Sequence, residues 1–296
     1  MSDAPEVVKP RPASTVLLLR DGVAGVEVLM VTRNVASDFA SGALVFPGGR
    51  VDEADAAAAI HGRCRAVPGL DAGATAFRVA GIRETYEEAH LLIARAPGGD
   101  QLLSAQALDE IENRLRASLG RAPLFGDIVE SGAVELATDL LVPFAHWITP
   151  VGPPKRFDTQ FFAVRAPIDQ VAAHDGREAV DNIWIAPQRA IEDADAKRVT
   201  LVFATRMNLL KLGRSKDVAE ALEAARGAAI VTVCPELVKT AEGPVLRIPL
   251  AAGYGVTEVP ATGIPRAWVP GDQGAVAKQK TPHPDPLPSG EREGPA

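Results

Sequence analysis

Three β-rich runs, each closed by glycine or proline, precede one long helical segment in the first third of the chain. STVLLLRDG and VEVLMVTR are separated by turn residues, which predicts a β-hairpin, and GALVFPGG predicts a third strand that ends at a Pro-Gly-Gly breaker. Residues 50–74 are rich in alanine and glycine, which predicts a mobile insertion with at most one short helix. A helix is then predicted from about Thr75, as its N-cap, through Ala89.

The remaining two thirds continue this mixture of helices and strands. Apolar residues at helical spacing predict a peripheral helix over 104–119, with Ser104 as N-cap and Gly120 as stop. Strands are predicted in LLVPFAHWITP, FDTQFFAVRAP and NIWIAP, helices over 200–212 and 215–226, and short strands in AIVTVCP and VLRIPL. This order favours a mixed α/β layered core over separate all-α and all-β domains.

Composition excludes several classes of protein. The formal net charge of −7 argues against a nucleic-acid partner, because neutralising phosphates requires clustered Lys and Arg. Cys64 and Cys234 have no metal-type spacing, so a disulfide framework or zinc site is not expected, and a reducing cytoplasm is the simplest interpretation. The N-terminal residues do not resemble a signal peptide, and no run is apolar enough to span a membrane.

The segment GIRETYEEAH carries the densest cluster of acids in the predicted first helix. On a helical wheel the three glutamates fall within an arc of about 100°, opposite an apolar face. A solvated helix face is one interpretation, since glutamate is a good helix former. However, Glu84 has like-charged neighbours at i+3 and i+4, and Arg83 can pair with Glu87 only. A hard divalent cation removes this repulsion, and the upstream Gly48-Gly49 pair allows backbone to approach a metal or ligand.

Together, FPGGRVDEAD and AFRVAGIRETYEEAHLL resemble the signature of the Nudix hydrolases, G-x5-E-x7-R-E-U-x-E-E-x-G-U with U apolar. The matching positions are Gly49, Arg83, Glu84, Glu87, Glu88 and Leu91. Two departures stand out. The spacing between Gly49 and Arg83 is about twenty residues too long, which puts Thr75 at the first glutamate of the pattern. That acid is absent or replaced by one from the insertion, with Glu53, Asp55 and Asp71 as candidates.

The second departure is His90 at the closing glycine of the signature. Histidine enters the left-handed backbone region more readily than most residues, so the helix is still expected to end there.

A signature split by an insertion is similar to the coenzyme A diphosphatase branch of the superfamily. This resemblance implies an α/β/α sandwich with a mixed β-sheet, helical insertions and a C-terminal extension. The expected boundaries are a flexible lead over 1–12, the Nudix domain over 13–212 with insertions at about 50–74 and 97–139, an extension of the same domain over 213–275, and a disordered tail over 276–296.

The resemblance also implies an activity and a set of site residues. The expected reaction is Mg²⁺- or Mn²⁺-dependent hydrolysis of a diphosphate in a nucleoside diphosphate derivative, with coenzyme A or acyl-coenzyme A giving phosphopantetheine and 3',5'-ADP as one option. Alternatives are ADP-ribose, NADH or another such derivative, or a non-catalytic ligand-binding regulator. The expected metal ligands are Glu84, Glu87, Glu88 and the Gly48 carbonyl. Arg83 is expected to orient these acids, and Glu84 and Glu88 also belong to the expected catalytic set.

A general base is expected from the loop before NIWIAP, where Glu178 comes first and Asp175 and Asp181 follow; a box glutamate is the other option. Substrate contacts are expected from four further residues: Arg33, Gly49, Arg50 and Arg156. For Arg156 the alternative is an Arg–Asp pair that holds the Pro-rich turn. The sequence leaves open whether the chain forms a homodimer.

Overall fold

The computed structural model describes residues 8–33, 42–172 and 179–261 of the 296-residue chain. The side chains of residues 33, 58, 59, 179 and 180 fall outside this description. The predicted C-terminal tail over 276–296 and most of the predicted lead lie outside the described residues as well.

Strands and helices alternate along the chain, as predicted. The strands are β1 (Arg11–Gly22), β2 (Gly25–Arg33), β3 (Leu44–Val45), β4 (Gly48–Arg50), β5 (Ala94–Arg95), β6 (Glu135–Leu136), β7 (Val142–Ile148), β8 (Phe157–Arg165), β9 (Ala179–Ile185), β10 (Thr232–Val233), β11 (Glu236–Thr240), β12 (Gly243–Arg247) and β13 (Glu258–Pro260). The α-helices are α1 (Ala58–His61), α2 (Ala72–Ala89), α3 (Ala105–Leu119), α4 (Phe125–Glu130), α5 (Pro187–Asp195), α6 (Phe203–Leu212) and α7 (Val218–Gly227).

The central sheet is mixed and has eight strands in the described part of the chain. Its main path runs β10-β7-β8-β1-β2-β3, with β4 paired to β1 and β9 paired to β2. Strand β1 lies parallel to β8 and antiparallel to both β2 and β4. The β4 pairing holds the Gly48-Gly49 pair directly against the first residues of β1.

Helices cover both faces of this sheet. One apolar cluster joins alternate residues of β1 and β8 to α5, α6, α7 and the segment around residue 250. A second cluster joins the other alternate residues of the same strands to α2, α3 and α4. The expected α/β/α sandwich with a mixed sheet is therefore confirmed.

Several helix predictions agree closely with the structure and others do not. Helix α3 has the predicted bounds, with Ser104 accepting a hydrogen bond from the Ala107 amide and Gly120 in the left-handed conformation. The predicted N-cap Thr75 is wrong, because α2 begins one turn earlier and Asp71 caps it by accepting from the Ala74 amide. Helices α4 and α5 were not predicted, and both are short.

The first insertion is packed against the domain, contrary to the mobile segment that its composition predicted. It contains a 3₁₀ turn over Glu53–Ala56 as well as α1. Two backbone hydrogen bonds, from Arg65 to Leu136 and from Leu136 to Arg63, attach its end to β6. Alanine-rich composition did not reveal these pairings because backbone hydrogen bonds need no particular side chain.

Part of the C-terminal extension belongs to the core. Tyr254 is buried, and its hydroxyl accepts from Trp147 Nε1 at 2.8 Å and donates to Asn208 Oδ1 at 2.8 Å. Arg214 donates to the carbonyl oxygens of Gly253 and Tyr254. The segment that follows β12 is thereby tied to α6 and β7.

No described helix combines the length and the apolar character needed to cross a bilayer.

Candidate active site

Helix α2 crosses the sheet in very close contact with β1. A Cβ atom at Gly81 would lie 2.9 Å from both Ser14 Oγ and Val16 Cγ2, so only glycine permits this approach. Further along the helix, Glu84 and Glu88 reach the Gly48-Gly49 pair on the neighbouring strand β4. A close helix crossing thus brings the two halves of the split signature together.

Two of the three signature glutamates are buried at this contact. Glu84 is 8% exposed and Glu88 is 4% exposed. The Gly48 amide donates to Glu88 Oε2 at 3.0 Å, and a Cβ atom at Gly49 would lie 2.5 Å from Glu84 Oε1. The interpretation of a solvated helix face is therefore wrong for Glu84 and Glu88, whereas the Glu87 side chain remains 46% exposed.

Arg83 ties these acids to the first insertion. Its Nη1 donates to Glu84 Oε1 and to Glu87 Oε2, both at 2.9 Å, and its Nη2 donates to the Arg50 carbonyl oxygen at 2.8 Å. Its Nε and Nη2 also bind the two carboxylate oxygens of Asp55 at 2.9 Å and 3.0 Å. Burial by itself lowers the pKa of Arg83, but the Asp55 hydrogen bonds and the surrounding negative charges outweigh it and raise the pKa.

Asp55 is the insertion acid that the structure places at the signature helix. It is 2% exposed and closes a capping turn by accepting from the Asp52 amide. The other candidates lie elsewhere: Glu53 is exposed, and Asp71 caps α2. Thr75, which stands at the first glutamate of the pattern, donates its hydroxyl to the Asp71 carbonyl. The sequence offered Asp55 as one of three options, and only folding selects it.

The carboxylates of Glu84 and Glu88 contact Gly48 and Gly49, and carboxylate oxygens are ligands that suit a hard divalent cation. Among the described residues, however, no three Asp, Glu, His or Cys side chains stand as a ready-made cation site. Arg83 holds Glu84 and Glu87, and the Gly48 amide holds one oxygen of Glu88. Cation binding therefore requires a rotamer change, which the exposed Glu87 can make at the lowest cost.

His90 ends α2 in the left-handed conformation, with φ of 54°, as predicted. It also contacts a residue that the sequence did not single out. Glu112 of α3 is 5% exposed, accepts from Tyr86 Oη at 2.6 Å and lies 3.5 Å from His90 Nε2. The hydrogen bond to Glu112 raises the pKa of His90, although burial opposes it. No periodic signal marks Glu112, because it lies beside the apolar stripe of its own helix.

Two of the expected substrate-binding arginines, Arg50 and Arg156, have described side chains, and no described contact joins either side chain to the signature acids. Arg156 is buried and donates to the carbonyl oxygens of Thr149, Pro150 and Val8, so its guanidinium stabilises the Pro-rich turn. Among the described residues Arg156 forms no pair with an Asp side chain, because its hydrogen bonds go to backbone carbonyls. Arg50 is exposed, and strand alternation places it on the opposite face from Gly49. The Arg33 side chain lies outside the description.

The expected general base, Glu178, and its reserve Asp175 lie outside the described residues. Asp181 is described and exposed, and its Oδ1 accepts from the Asn182 amide. The backbone of Arg33 pairs with Ala179, so β9 begins beside the end of β2.

The layered fold, in which an acid-bearing helix packs against a strand with a Gly-Gly pair, is a Nudix-type fold. A solved Nudix hydrolase from Alicyclobacillus acidocaldarius superposes with a TM-score of 0.57 at 26% identity, covering 76% of this chain and 98% of that one. No protein-family model matches the chain.

Curated relatives agree with this class. Acyl-coenzyme A diphosphatase NUDT19 of Gallus gallus is 28% identical over 235 residues, covering 59% of this chain and 58% of the relative. Putative nudix hydrolase 7 of Caenorhabditis elegans is 28% identical over 217 residues, covering 72% of this chain and 64% of the relative. The chain thus spans less than two thirds of the length of either curated relative. It is similar to Nudix hydrolases and, among them, to an acyl-coenzyme A diphosphatase.

Proposed function

We propose that this protein hydrolyses the diphosphate linkage of a nucleoside diphosphate derivative with the help of Mg²⁺ or Mn²⁺. The observation that carries the proposal is the burial of Glu84 and Glu88 against the Gly48-Gly49 strand. Burying two carboxylates costs several kcal/mol unless positive partners compensate them. Arg83 supplies one such partner, and a bound divalent cation would add further positive charge beside these carboxylates.

The chain's own residues have distinct roles in this proposal. Glu84, Glu87, Glu88 and the Gly48 carbonyl would hold the cation. When bound, the cation would neutralise charge on the diphosphate and lower the pKa of a bound water. Arg83 is a positioning residue, because its guanidinium binds Glu84 and Glu87 while Asp55 fixes it from the opposite side. Residues that orient metal ligands in this way commonly affect activity by 10–100-fold.

Glu178 is the proposed general base, and Asp175 and Asp181 are its alternatives. One end of the β2–β9 pair, at Arg33 and Ala179, lies next to the β2 residues Val31 and Thr32 that pair with β3, and β3 leads into β4. In sequence, residues 173–178 directly precede β9, a strand of the sheet that also contains β4. A carboxylate there would accept the proton of the attacking water.

Coenzyme A or an acyl-coenzyme A is the leading substrate candidate, with phosphopantetheine, free or acylated, and 3',5'-ADP as products. Support comes from the diphosphatase activity for which the NUDT19 relative is named and from the insertion that splits the signature in this chain. The same site chemistry serves any nucleoside diphosphate derivative, since the acids contact only the diphosphate.

A substrate panel with Mg²⁺ tests the proposal directly. Coenzyme A, an acyl-coenzyme A, ADP-ribose and NADH should be compared, with the nucleotide product measured by chromatography. Glu87→Gln and Glu88→Gln should each lower turnover by about 100-fold, and calorimetric titration with Mn²⁺ should show weakened cation binding. Glu110→Gln, an exposed glutamate of α3, is the matched control. Unchanged turnover in either site variant would eliminate the metal site as proposed.

A further inference from the structure

Ser14 of β1 is a fully buried serine whose hydroxyl has no hydrogen-bond partner within the described parts of the chain. Its relative exposure is 0%, and its Oγ neither donates nor accepts a hydrogen bond there. Val16 and Leu18, the next two residues on this face of the strand, are apolar and equally buried. Burying a hydroxyl without a partner destabilises a protein. An apolar residue would therefore serve better at this position if its only role were packing.

The pairing of β1 with β4 and the packing of α2 place this hydroxyl beside the Glu84 carboxylate. Ser14 pairs with Gly49, and paired residues share one face of a sheet, with their Cβ positions about 5 Å apart. On that face, a Cβ atom at Gly49 would lie 2.5 Å from Glu84 Oε1. Ser14 Oγ itself lies 2.9 Å from the Cβ position of Gly81, which precedes Glu84 by about one helical turn. The distance from the hydroxyl to the carboxylate is therefore on the order of 5 Å.

In the structure, Glu84 is bound by Arg83 and not by Ser14. The Arg83 Nη1 donates to Glu84 Oε1 at 2.9 Å. A carboxylate has about four lone-pair sites, so this contact leaves Glu84 able to accept further hydrogen bonds. A change of the Glu84 rotamer toward a cation at Gly48 would move its oxygens while β1 stays in place. A serine hydroxyl can rotate its hydrogen toward a new acceptor without any movement of the strand.

We propose that Ser14 is a positioning residue whose hydroxyl donates a hydrogen bond to Glu84 when Glu84 holds the divalent cation. The proposal rests on the proposed function, because it takes Glu84 to be a metal ligand. Hydrogen bonds to ionised carboxylates are stronger than those between neutral groups, and such bonds orient metal-binding side chains. The hydroxyl is unpaired in the metal-free protein and paired in the cation-bound one. A contact made in only one of two states shifts the equilibrium toward that state, so Ser14 strengthens cation binding.

Ser14→Ala tests the proposal, because it removes the hydroxyl and keeps the rest of the side chain. In EDTA, the Tm of this variant should equal or exceed that of the wild type, since the deleted hydroxyl makes no hydrogen bond there. Calorimetric titration should show that Mn²⁺ binds about 10-fold more weakly. In kinetics, the Mn²⁺ concentration that gives half-maximal activity should rise by about the same factor, while the substrate KM at saturating Mn²⁺ stays nearly unchanged.

Thr138→Val is the matched control, because Thr138 is a buried residue whose hydroxyl does have a partner. It is 1% exposed and donates to the Arg65 carbonyl oxygen at 2.6 Å. This control should show the opposite pattern, with a lower Tm in EDTA and an unchanged affinity for Mn²⁺. Circular dichroism of both variants establishes that each is folded.

The outcomes separate this proposal from the proposed function. Unchanged Mn²⁺ affinity in Ser14→Ala overturns the assignment of Ser14. A loss of Tm in EDTA as large as that of Thr138→Val also overturns it, because the hydroxyl would then be paired without the cation. In both cases the proposed function still stands if the wild type binds Mn²⁺ and hydrolyses a substrate of the panel. A wild type that binds no Mn²⁺ overturns both proposals.

Discussion

Replacing Gly49 with alanine perturbs the candidate active site at one carboxylate. The added methyl group would lie 2.5 Å from Glu84 Oε1 and 2.6 Å from both Glu84 Cδ and Oε2. The backbone of Gly49 itself accepts alanine, because it is absent from the described residues with positive φ. The substitution therefore acts by displacing the Glu84 side chain.

The size of the displacement follows from ordinary contact distances. Non-bonded heavy atoms are in optimal contact at about 3.5 Å, so the carboxylate must move by about 1 Å. That shift disrupts the 2.9 Å hydrogen bond between Arg83 and Glu84. A misplacement of about 1 Å in a catalytic group costs about 100-fold in rate. Because the clash involves the end of a flexible side chain, the free energy of unfolding should fall by only about 1 kcal/mol.

Kinetics and urea unfolding of Gly49→Ala measure both effects on the best substrate of the panel. Gly126→Ala is the matched control, since a Cβ atom there meets nothing within 4 Å and the residue lies in α4. This control should leave kcat/KM unchanged and raise stability by up to about 1 kcal/mol. If folded Gly49→Ala kept kcat/KM within about threefold of wild type, the position of Glu84 would not govern the reaction and the reasoning would be refuted.

Three further substitutions test the contacts that hold the site and the extension. Asp55→Asn removes the buried charge that binds Arg83 and should lower the free energy of unfolding by about 3 kcal/mol in urea. Tyr254→Phe deletes a buried hydroxyl with two hydrogen-bond partners and should cost about 1–3 kcal/mol by calorimetry. Burial raises the pKa of Glu112, but hydrogen bonds from its two neighbours outweigh it and lower the pKa. The stabilisation from Glu112 is thus present above its unfolded-state pKa and is lost as pH falls through the folded-state pKa. Acidification should therefore lower the Tm of the wild type more than the Tm of Glu112→Gln.

Two of these tests, those at Asp55 and Glu112, have a control within the same element. Glu53→Gln changes an exposed acid two residues from Asp55 and should leave stability unchanged. Glu110→Gln changes an exposed acid on the same helix as Glu112 and should also leave stability unchanged. Equal losses in Asp55→Asn and Glu53→Gln would mean that the Arg83 contact contributes little. A Tyr254→Phe protein as stable as wild type would show that the extension is held by apolar packing alone, and parallel pH profiles would rule out the Glu112 account.

Local sequence signals predicted those elements whose determinants lie within a few residues. The β1–β2 hairpin and α3, with Ser104 and Gly120 at its ends, follow from period and capping residues. The left-handed His90 follows from the tolerance of histidine for that backbone region. The misplaced start of α2 shows the limit of such local signals. Thr75 and Asp71 are both acceptable N-caps, and only the packing of the helix and its capping hydrogen bond select Asp71.

The candidate site depended on contacts that no local pattern encodes. Arg83, Glu84, Glu87 and Glu88 could be named from their spacing, but the wheel placed all three acids on one arc opposite the apolar face and did not show which of them are buried. Glu84 and Glu88 are buried because β4 lies beside them, thirty or more residues earlier in the chain. The guanidinium of Arg156 is a group that suits a phosphate ligand. In the structure it donates hydrogen bonds to three backbone carbonyl oxygens instead.

The sequence by itself supplied the residues that we propose for the chemistry: a glycine pair, an arginine and three acids at one helical spacing. Tertiary structure alone decided which insertion acid meets Arg83 and which glutamates are buried. The physical reason is that spacing along a helix or strand is set by backbone geometry, whereas burial and ion pairing depend on elements far apart in the chain.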